Sequence, residues 1–216
     1  MSGIQKELKS QLVYDQLKER ILTHEIEQGA PLSERMISEW FDASRTPVRE
    51  ALRRLQKEHF VDLTPEYGAF VSRVTYETIL EVYEIREVLE GLSARLCAMC
   101  LQPSERKDLV VIYRELRDAL INKQYENSVP LDVEFHGFII AHSRSTMLQA
   151  ILQMIVDHTK RITRLIQYDD EWSQKVQRNH YNITSSIITG KCDAAEKSMR
   201  EHIRSSREKQ LAQIAR

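Results

Sequence analysis

The sequence predicts a mainly α-helical protein in two parts: three helices with a β-hairpin, followed by an all-α antiparallel helical bundle. Three observations support this fold class. Only six glycines and five prolines occur among 216 residues, which are too few for the turns of a many-stranded sheet. Most apolar residues recur at intervals of three and four, the spacing of one helix face. From about Thr75 onward turn residues thin out, and long helical patterns follow one another.

Composition and charge narrow the class of protein. Hydrophobic residues make up 42% of the chain and charged residues 29%, which is typical of a globular protein rather than a disordered one. The sequence contains no apolar run long enough for a bilayer and no signal peptide, and its three cysteines indicate no disulfide framework. We therefore expect a cytoplasmic protein without a membrane partner. Because the formal net charge is −1, any positively charged surface that binds nucleic acid must be confined to one part of the chain.

The first two helical patterns precede an arginine-rich segment. The first covers residues 10–29, "SQLVYDQLKERILTHEIEQG", and is predicted to end at Gly29. Its apolar positions are Val13, Leu17, Ile21 and Ile26. The stretch "PLSERMISEWFD" predicts a second helix, for which Ser33 is a suitable N-cap because its hydroxyl can accept from an N–H of the first turn. The inward face of this helix is predicted to be Met36, Ile37, Trp40 and Phe41.

The stretch "SRTPVREALRRL", residues 44–55, contains four arginines and predicts a third helix. Thr46 can cap it, and Pro47 suits the first helical position, where a missing N–H costs nothing. Apolar and basic side chains then fall on adjacent faces, with Val48, Leu52 and Leu55 on one and Arg45, Arg49 and Arg53 on the other. Such arginines fit either an ordinary solvated helix face or a surface that meets a polyanion.

The stretch "FVDLTPEYGAFVSRV" predicts two short strands around a turn that contains Pro65 and Gly68. Three helices and a hairpin form a winged helix-turn-helix pattern, which we assign to residues 1–74. In that architecture the N-terminal residues of the recognition helix enter the major groove, where an arginine pairs with two acceptors of guanine. The hairpin tip, Tyr67 and Gly68, would meet the adjacent minor groove or backbone, since glycine permits close approach. These neighbours favour the polyanion interpretation of the arginines.

The remaining residues, 75–216, predict an all-helical bundle that is large enough to bury its own core. Breaks such as Gln102–Pro103, Asn127–Ser128 and Gly190 are typical of helix ends. Six helical patterns lie between the breaks and cover residues 77–100, 104–124, 129–143, 146–168, 170–189 and 193–214.

Three histidines and one aspartate of the bundle are candidates for a metal site. Asp132 and His136 are four residues apart, so both project from one helix face. His180 and His202 lie about equally far from the break at Gly190, so antiparallel packing of their helices would bring them to the same level. Three imidazoles and one carboxylate are a ligand set for a divalent transition metal. The alternative is that these histidines are ordinary hydrogen-bonded residues.

The pair Cys97 and Cys100, in "CAMC", raises the alternative of a zinc or redox site. The pair lies inside a helical pattern, and only Cys192 is available as a further thiol. We therefore expect these cysteines to be small buried residues.

Residues 31–74 resemble the DNA-binding domain of the GntR family of bacterial transcription regulators, and "SRTPVREAL" is a highly specific part of that resemblance. The resemblance implies double-stranded DNA as a partner. It places contacts with bases or phosphates, and the wing, at Arg35, Arg45, Thr46, Arg49 and Gly68. The chain departs from the family at His59, where a glycine is usual at the end of the recognition helix, so we expect the turn into the wing to differ.

The stretches "VYEIREVLEGLSARLCA", "DVEFHGFIIAHS" and "NHYNITSSIITGKCDAAEKSMREHI" resemble the FCD effector domain of the FadR subfamily. In its metal-containing members the ligands fall on positions that match Asp132, His136, His180 and His202. The resemblance implies a divalent transition metal, with zinc as the first candidate and nickel, manganese or iron as alternatives. It also implies that a small carboxylate effector, such as an organic or sugar acid, completes the coordination of the metal.

Two arginines are candidates for orienting this carboxylate. Arg86 occupies a position that the family often uses, and Arg164 is a further candidate. Either could instead pair with an acidic neighbour, Glu90 or Asp169. Asn179 stands where the family commonly has glutamate before the third ligand, and we expect this departure to alter the support of that histidine.

Together these features predict a ligand-responsive, DNA-binding transcription regulator that is not an enzyme. A homodimer is expected because a two-fold symmetric operator requires two recognition helices about one DNA turn apart. One alternative is a metal-dependent hydrolase or lyase with an accessory winged-helix domain, but the sequence has no H-E-x-x-H motif and no evident general base beside the ligands. Another is a DNA-binding protein whose histidines are purely structural.

Overall fold

The computed structural model of the protein describes residues 3–214, with side chains described for residues 7–214. Nine helices and three short strands make up the regular structure of these residues, which confirms the mainly α-helical fold class. None of the described helices is long and apolar enough to cross a membrane. The chain divides between Val74 and Thr75 into two compact units. We call them the N-terminal unit and the helical unit.

The N-terminal unit contains three helices and a three-stranded antiparallel sheet. Its elements in chain order are α1 (Gly3–Leu22), β1 (Pro31–Leu32), α2 (Glu34–Phe41), α3 (Arg45–Lys57), β2 (Val61–Thr64) and β3 (Gly68–Val71). The predicted hairpin is present as β2 and β3, with Val61 opposite Val71. A further strand, β1, pairs with the other edge of β3 through Pro31 opposite Phe70. Two residues are too few to form an alternating pattern, so nothing in the sequence indicated this strand.

Helix α1 ends at Leu22 rather than at Gly29, so the predicted C-terminal boundary is wrong. His24 adopts a left-handed conformation with a φ of 59°, and the N–H of Ile26 donates to the carbonyl of Arg20 at 3.1 Å. This is the hydrogen bonding of a helix that is closed by a left-handed residue. Ile26 is still buried, although it lies in the turn after the helix.

Helix α2 begins as predicted, since the hydroxyl of Ser33 accepts a hydrogen bond from the N–H of Met36 at 3.1 Å. Phe41 is buried, but Trp40 is 42% exposed, so the predicted place of Trp40 on the inward face is wrong. Its ring meets that of Phe41 edge to face, and the guanidinium carbon of Arg20 lies 5.3 Å from its centroid. A short helix buries only a narrow stripe, and this indole lies at the surface with a cation over its face.

Helix α3 begins at Arg45, with Ser44 as its N-cap residue, so Thr46 is the second helical residue and not the cap. Pro47 is the third helical residue instead of the first. The proline is tolerated there because the first four N–H groups of a helix have no intrahelical acceptor. The predicted apolar face is confirmed, since the helix buries Pro47, Val48, Ala51, Leu52 and Leu55.

The helical unit contains six helices within the described residues. They are α4 (Tyr76–Cys100), α5 (Pro103–Ile121), α6 (Tyr125–Ala141), α7 (Thr146–Thr163), α8 (Asp170–Ile188) and α9 (Cys192–Ile214). Two bounds differ from the predicted ones by four residues or more, because α6 begins at Tyr125 rather than at residue 129 and α7 ends at Thr163 rather than at residue 168. Ser128, predicted to lie in a break, is buried in the first turn of α6, where its hydroxyl donates to the carbonyl of Tyr125 at 2.8 Å.

Helix α4 is the central element of the helical unit. It packs against α6, α7, α8 and α9. Buried side chains from these helices fill the interior, among them Tyr83, Phe135, Ile183 and Met199. Polar side chains of α4, α6, α8 and α9 are buried in the same interior, and they form the candidate site.

Candidate metal centre and nucleic-acid interface

Four side chains from three helices converge inside the helical unit. Asp132 and His136 come from α6, His180 from α8 and His202 from α9. Each offers one ligand atom, and these atoms lie within 4.8 Å of one another. The three histidines are buried and the aspartate is half-buried. We call this group the four-residue cluster. The rings of His180 and His202 have centroids 4.5 Å apart, so the two helices that meet at Gly190 bring them to one level.

Hydrogen bonds orient two of the imidazoles of the cluster. The Nδ1 atom of His136 lies 2.5 Å from a carboxylate oxygen of Glu90, and Nδ1 of His180 lies 2.8 Å from the carbonyl oxygen of Val176. A proton on each Nδ1 leaves Nε2 of the same ring with its lone pair. The Nε2 atoms of His136 and His202 are 3.2 Å apart, and Nε2 of His180 is 3.0 Å from Oδ1 of Asp132. Three ring nitrogens and a carboxylate oxygen therefore point at one another.

The pKa shifts of Asp132 and His202 suit metal binding. Burial acts to raise the pKa of Asp132, but the surrounding imidazoles, first His136, hold that pKa well below its ordinary value. Burial lowers the pKa of His202 well below its ordinary value, and the other two imidazoles lower it further. An ionised carboxylate and neutral imidazoles are the forms in which these side chains act as ligands.

A buried ion pair adjoins the cluster on α4. Nε of Arg86 donates to the carboxylate of Glu90 at 2.6 Å, and both side chains are almost fully buried. Burial acts to raise the pKa of Glu90, but the charge of Arg86 and the hydrogen bond with His136 hold it at about 2. Glu90 therefore stays ionised, and its carboxylate contacts both the guanidinium of Arg86 and the imidazole of His136. Pairing with Glu90 was the alternative to a role of Arg86 in orienting a carboxylate, and the structure shows this pair as a buried one. The contact of Glu90 with His136 had no sequence signal.

A cavity of about 410 Å³ opens beside the cluster, between α4, α6 and α7. Asp132, His136, Arg86 and Glu90 border it at one end. Gly137 also lines it, and a Cβ built on this glycine would meet no atom within 4 Å, so the wall is open at that point. The size is that of a site for a small organic ligand.

Three other candidate residues lie apart from the cluster. Arg164 is exposed at the C-terminal end of α7 and does not line the cavity, and Asp169, its possible partner, accepts a hydrogen bond from Lys209 at 2.6 Å. The amide of Asn179 donates to the hydroxyl of Ser205 at 3.1 Å. His180 is oriented instead by the contact of its Nδ1 with the backbone carbonyl of Val176. The departure at Asn179 therefore leaves the orientation of that histidine intact.

The cysteines take no part in the cluster. All three are free thiols, and Cys97 is buried as expected, whereas Cys100 and Cys192 are half-buried. Burial raises the pKa of Cys97 to about 12, so this thiol remains protonated. A protonated, enclosed thiol is a poor nucleophile and a poor ligand.

The arginines of α3 form an exposed basic surface on the N-terminal unit. Arg45, Thr46 and Arg53 are exposed, and Arg49 is exposed with its Nε 2.6 Å from a carboxylate oxygen of Glu34. Such a surface pair is weak in water and is easily exchanged for a phosphate or a base edge. Arg35, on α2, is likewise exposed and pairs with Glu39.

The turn that follows α3 leads into the wing. His59 has a φ of 58°, so this position needs the left-handed conformation that a glycine adopts without strain. Gly68, at the start of β3, has a φ of 87°, and no atom lies within 4 Å of a Cβ built there. Tyr67 beside it is the most exposed aromatic residue of the hairpin tip.

Comparisons with known proteins agree with both units. Residues 9–71 match the family of bacterial regulatory proteins named gntR, and residues 81–205 match the FCD domain. An HTH-type transcriptional regulator in an unstable DNA locus of Streptomyces ambofaciens is 30% identical over 197 residues, which cover 89% of this chain and 80% of that one. The gluconate operon transcriptional repressor of Bacillus subtilis is 32% identical over 182 residues, with 81% and 73% covered. A solved GntR transcriptional regulator from Rhodococcus sp. RHA1 has a TM-score of 0.76 at 19% identity, with 94% and 97% covered.

Proposed function

The chain belongs to the GntR family of bacterial transcription regulators, as an FCD-containing member of the FadR subfamily, and we propose that it senses a small carboxylate through a bound divalent metal. It is a DNA-binding regulator and not an enzyme, which removes the hydrolase or lyase alternative. The observation that carries the proposal is the convergence of three Nε2 atoms and one carboxylate oxygen in the four-residue cluster.

The donor set of the cluster fits a divalent transition metal. Three imidazoles with one carboxylate suit zinc, and they also suit nickel, manganese or iron. Asp132, His136, His180 and His202 would hold the ion. When bound, the ion supplies a Lewis-acid anchor for a carboxylate oxygen. Since Asp132 and His136 border the cavity of 410 Å³, a ligand in that cavity would reach the ion.

The class of effector follows from the same geometry. A carboxylate is a hard anionic ligand for an ion that is held by four protein groups, and Arg86 contributes a guanidinium to the adjacent wall. One relative is named for the gluconate operon, which supports a carboxylic acid as the signal. Binding of the acid would favour one of two conformers that differ in DNA affinity.

The N-terminal unit is the DNA-binding part of the chain. We propose that Arg45, Thr46 and Arg49 of α3 contact base edges or phosphates in the major groove, with Arg35 on the backbone and Gly68 in the wing. Their exposure supports these roles. Because the target is chromosomal DNA, we assign the protein to the cytoplasm.

A homodimer on a two-fold symmetric operator is the proposed assembly. Helices α4 and α7 pack against each other, and each carries exposed apolar residues at helical spacing. This apolar stripe comprises Ile85, Val88, Leu92 and Met99 on α4 and Met147, Ile151 and Met154 on α7. Exposed apolar side chains at helical spacing on two packed helices are typical of an interface, and a second copy would cover them while supplying the second α3 helix.

The proposal is tested with protein purified without a histidine tag. We expect about one transition-metal ion per chain by elemental analysis after reconstitution, and a specific mobility shift of DNA from the promoter of its own operon. His180→Ala should lose the metal. The control is His142→Ala, because His142 lies at the end of α6 outside the cluster and contacts the carbonyl of Phe138. A wild-type protein that retains no metal, or a His180→Ala protein that retains it fully, would refute metal sensing.

A further inference from the structure

The cavity beside the four-residue cluster has a polar end and an apolar body. We infer that the effector is a monocarboxylic acid with an extended apolar body, rather than a sugar acid or a tricarboxylic acid. This inference rests on the proposed sensing of a carboxylate. Asp132, His136, Arg86 and Glu90 lie at the polar end. The carboxylate of the ligand belongs at this end, beside the proposed ion.

The body of the cavity follows α6 from Asp132 to Ala141, both of which line it. This stretch of helix is about 13 Å long at 1.5 Å per residue. The side chains of α6 and α7 that line this part of the cavity include five branched aliphatic ones, Val133, Ile140, Leu152, Ile155 and Val156. A ligand body in contact with these side chains gains free energy through burial of apolar surface.

Two of the polar side chains along this body are already engaged within the protein. The amide nitrogen of Gln149 donates to the carbonyl of Ala141 at 2.9 Å, and the hydroxyl of Thr159 donates to the carbonyl of Ile155 at 3.1 Å. Hydroxyl groups on a ligand would therefore meet aliphatic walls and two side chains that are in use, and the amide of Gln153 is the remaining uncharged polar group along the body. Burying unpaired hydroxyl groups costs free energy, so a sugar acid is disfavoured.

The charges at the cavity suit a single carboxylate. Arg86 is paired with Glu90, and Nζ of Lys160 lies 3.4 Å from a carboxylate oxygen of Asp157. A divalent ion held by Asp132 then leaves about one net positive charge. A second carboxylate on the ligand would have to take Lys160 from Asp157, and a third would have no further cation in the cavity lining.

Gly137 offers a direct way to change the body of the cavity. It lies on α6 between the polar end and Ala141, and a side chain there would enter open space. Substitution by alanine or leucine replaces a glycine inside a helix, so it favours the helix rather than straining it. Gly137→Leu should fill the body, whereas Gly137→Ala is a matched control that adds one methyl group.

The experiment measures the affinity of the metal-loaded, full-length protein for acetate, butanoate, hexanoate, octanoate and gluconate by calorimetry. We expect affinity to rise about fourfold per methylene until the body of the cavity is filled. Hexanoate should bind at least about tenfold more tightly than gluconate, which has the same number of carbons, since buried hydroxyl groups lack partners. In Gly137→Leu the gain from chain length should disappear, while acetate affinity, metal content and thermal unfolding stay as in Gly137→Ala.

The outcomes separate the two proposals. An affinity that is independent of chain length, or gluconate binding more tightly than hexanoate, overturns the apolar monocarboxylate and leaves carboxylate sensing intact. Retention of the chain-length gain in Gly137→Leu also overturns it, because the body of the cavity would then not hold the ligand. If the metal-loaded protein binds none of the five acids, carboxylate sensing itself fails.

Discussion

The carboxylate of Glu90 on α4 lies 2.5 Å from Nδ1 of His136 on α6, although the two residues are 46 positions apart in the chain. The same carboxylate accepts a hydrogen bond from Nε of Arg86 at 2.6 Å. It therefore fixes the proton of His136 on Nδ1 and turns Nε2 toward the four-residue cluster. One buried carboxylate also balances the charge of a buried guanidinium. The four-residue cluster and the cavity wall therefore depend on the same carboxylate.

Glu90→Gln is expected to weaken metal affinity by about 10- to 100-fold, because a hydrogen-bonded carboxylate both orients a ligating imidazole and increases its basicity. Competition with a chelator measures the change. The control is Glu87→Gln on the same helix, since Glu87 pairs with Arg204 away from the cluster. Equal affinities of the two variants would contradict a supporting role for Glu90.

Glu90→Gln also leaves Arg86 buried without its anion, which costs about 3–5 kcal/mol of unfolding free energy for a broken buried pair. The double variant Arg86→Met/Glu90→Gln removes both charges, so it should recover most of this loss. Its metal affinity should remain low. Denaturant unfolding of the metal-free proteins, together with the chelator competition, separates stability from ligand support.

Arg49→Ala should reduce affinity for the operator by about 5- to 150-fold, as expected for an arginine that contacts a base. Arg54→Ala is the matched control, because Arg54 is on the same helix but directs its guanidinium toward Gln11 and the ring of Tyr14 on α1. It should bind nearly as the wild type does. Titration of labelled operator at two salt concentrations measures both variants, and similar losses would reject Arg49 as a specific contact.

His59→Gly should raise the unfolding free energy by about 1 kcal/mol, because the left-handed conformation of His59 is strained for a side chain with a Cβ. Arg53→Gly, at an exposed position in the interior of α3, should lower it by about the same amount, since glycine weakens a helix interior. Substitution by glycine is therefore expected to change the unfolding free energy in opposite directions at the two positions. A loss of stability in both variants would show that His59 makes contacts that outweigh the strain.

Val88→Glu should convert the proposed dimer to a monomer, because it places a charge in the apolar stripe of α4 and α7. Val111→Glu on α5 is the control, since both valines are 50% exposed and Val111 lies outside the stripe. Sedimentation velocity at micromolar concentration distinguishes the species. If Val88→Glu remains dimeric, the stripe is not the interface.

Much of the fold was readable from local patterns. Helical periodicity predicted the helices, and the breaks between them predicted most boundaries to within a few residues. The errors occurred where a boundary depends on one residue's conformation, as at His24, or where polar residues continue a helix, as at Ser128. The exposed Trp40 was misassigned because its burial is decided by the neighbouring helices and not by its spacing.

By itself the sequence determined the order of the helices, the arginine-bearing face of α3 and the four residues of the cluster, because spacing along a helix fixes which side chains share a face. The tertiary structure alone decided that Glu90 meets His136, that Arg86 is neutralised, and that an apolar cavity opens at Gly137. These features depend on how α4, α6 and α7 pack. Contacts between residues far apart in the chain produce no periodic pattern in the sequence. The empty space between helices likewise depends on how the helices pack.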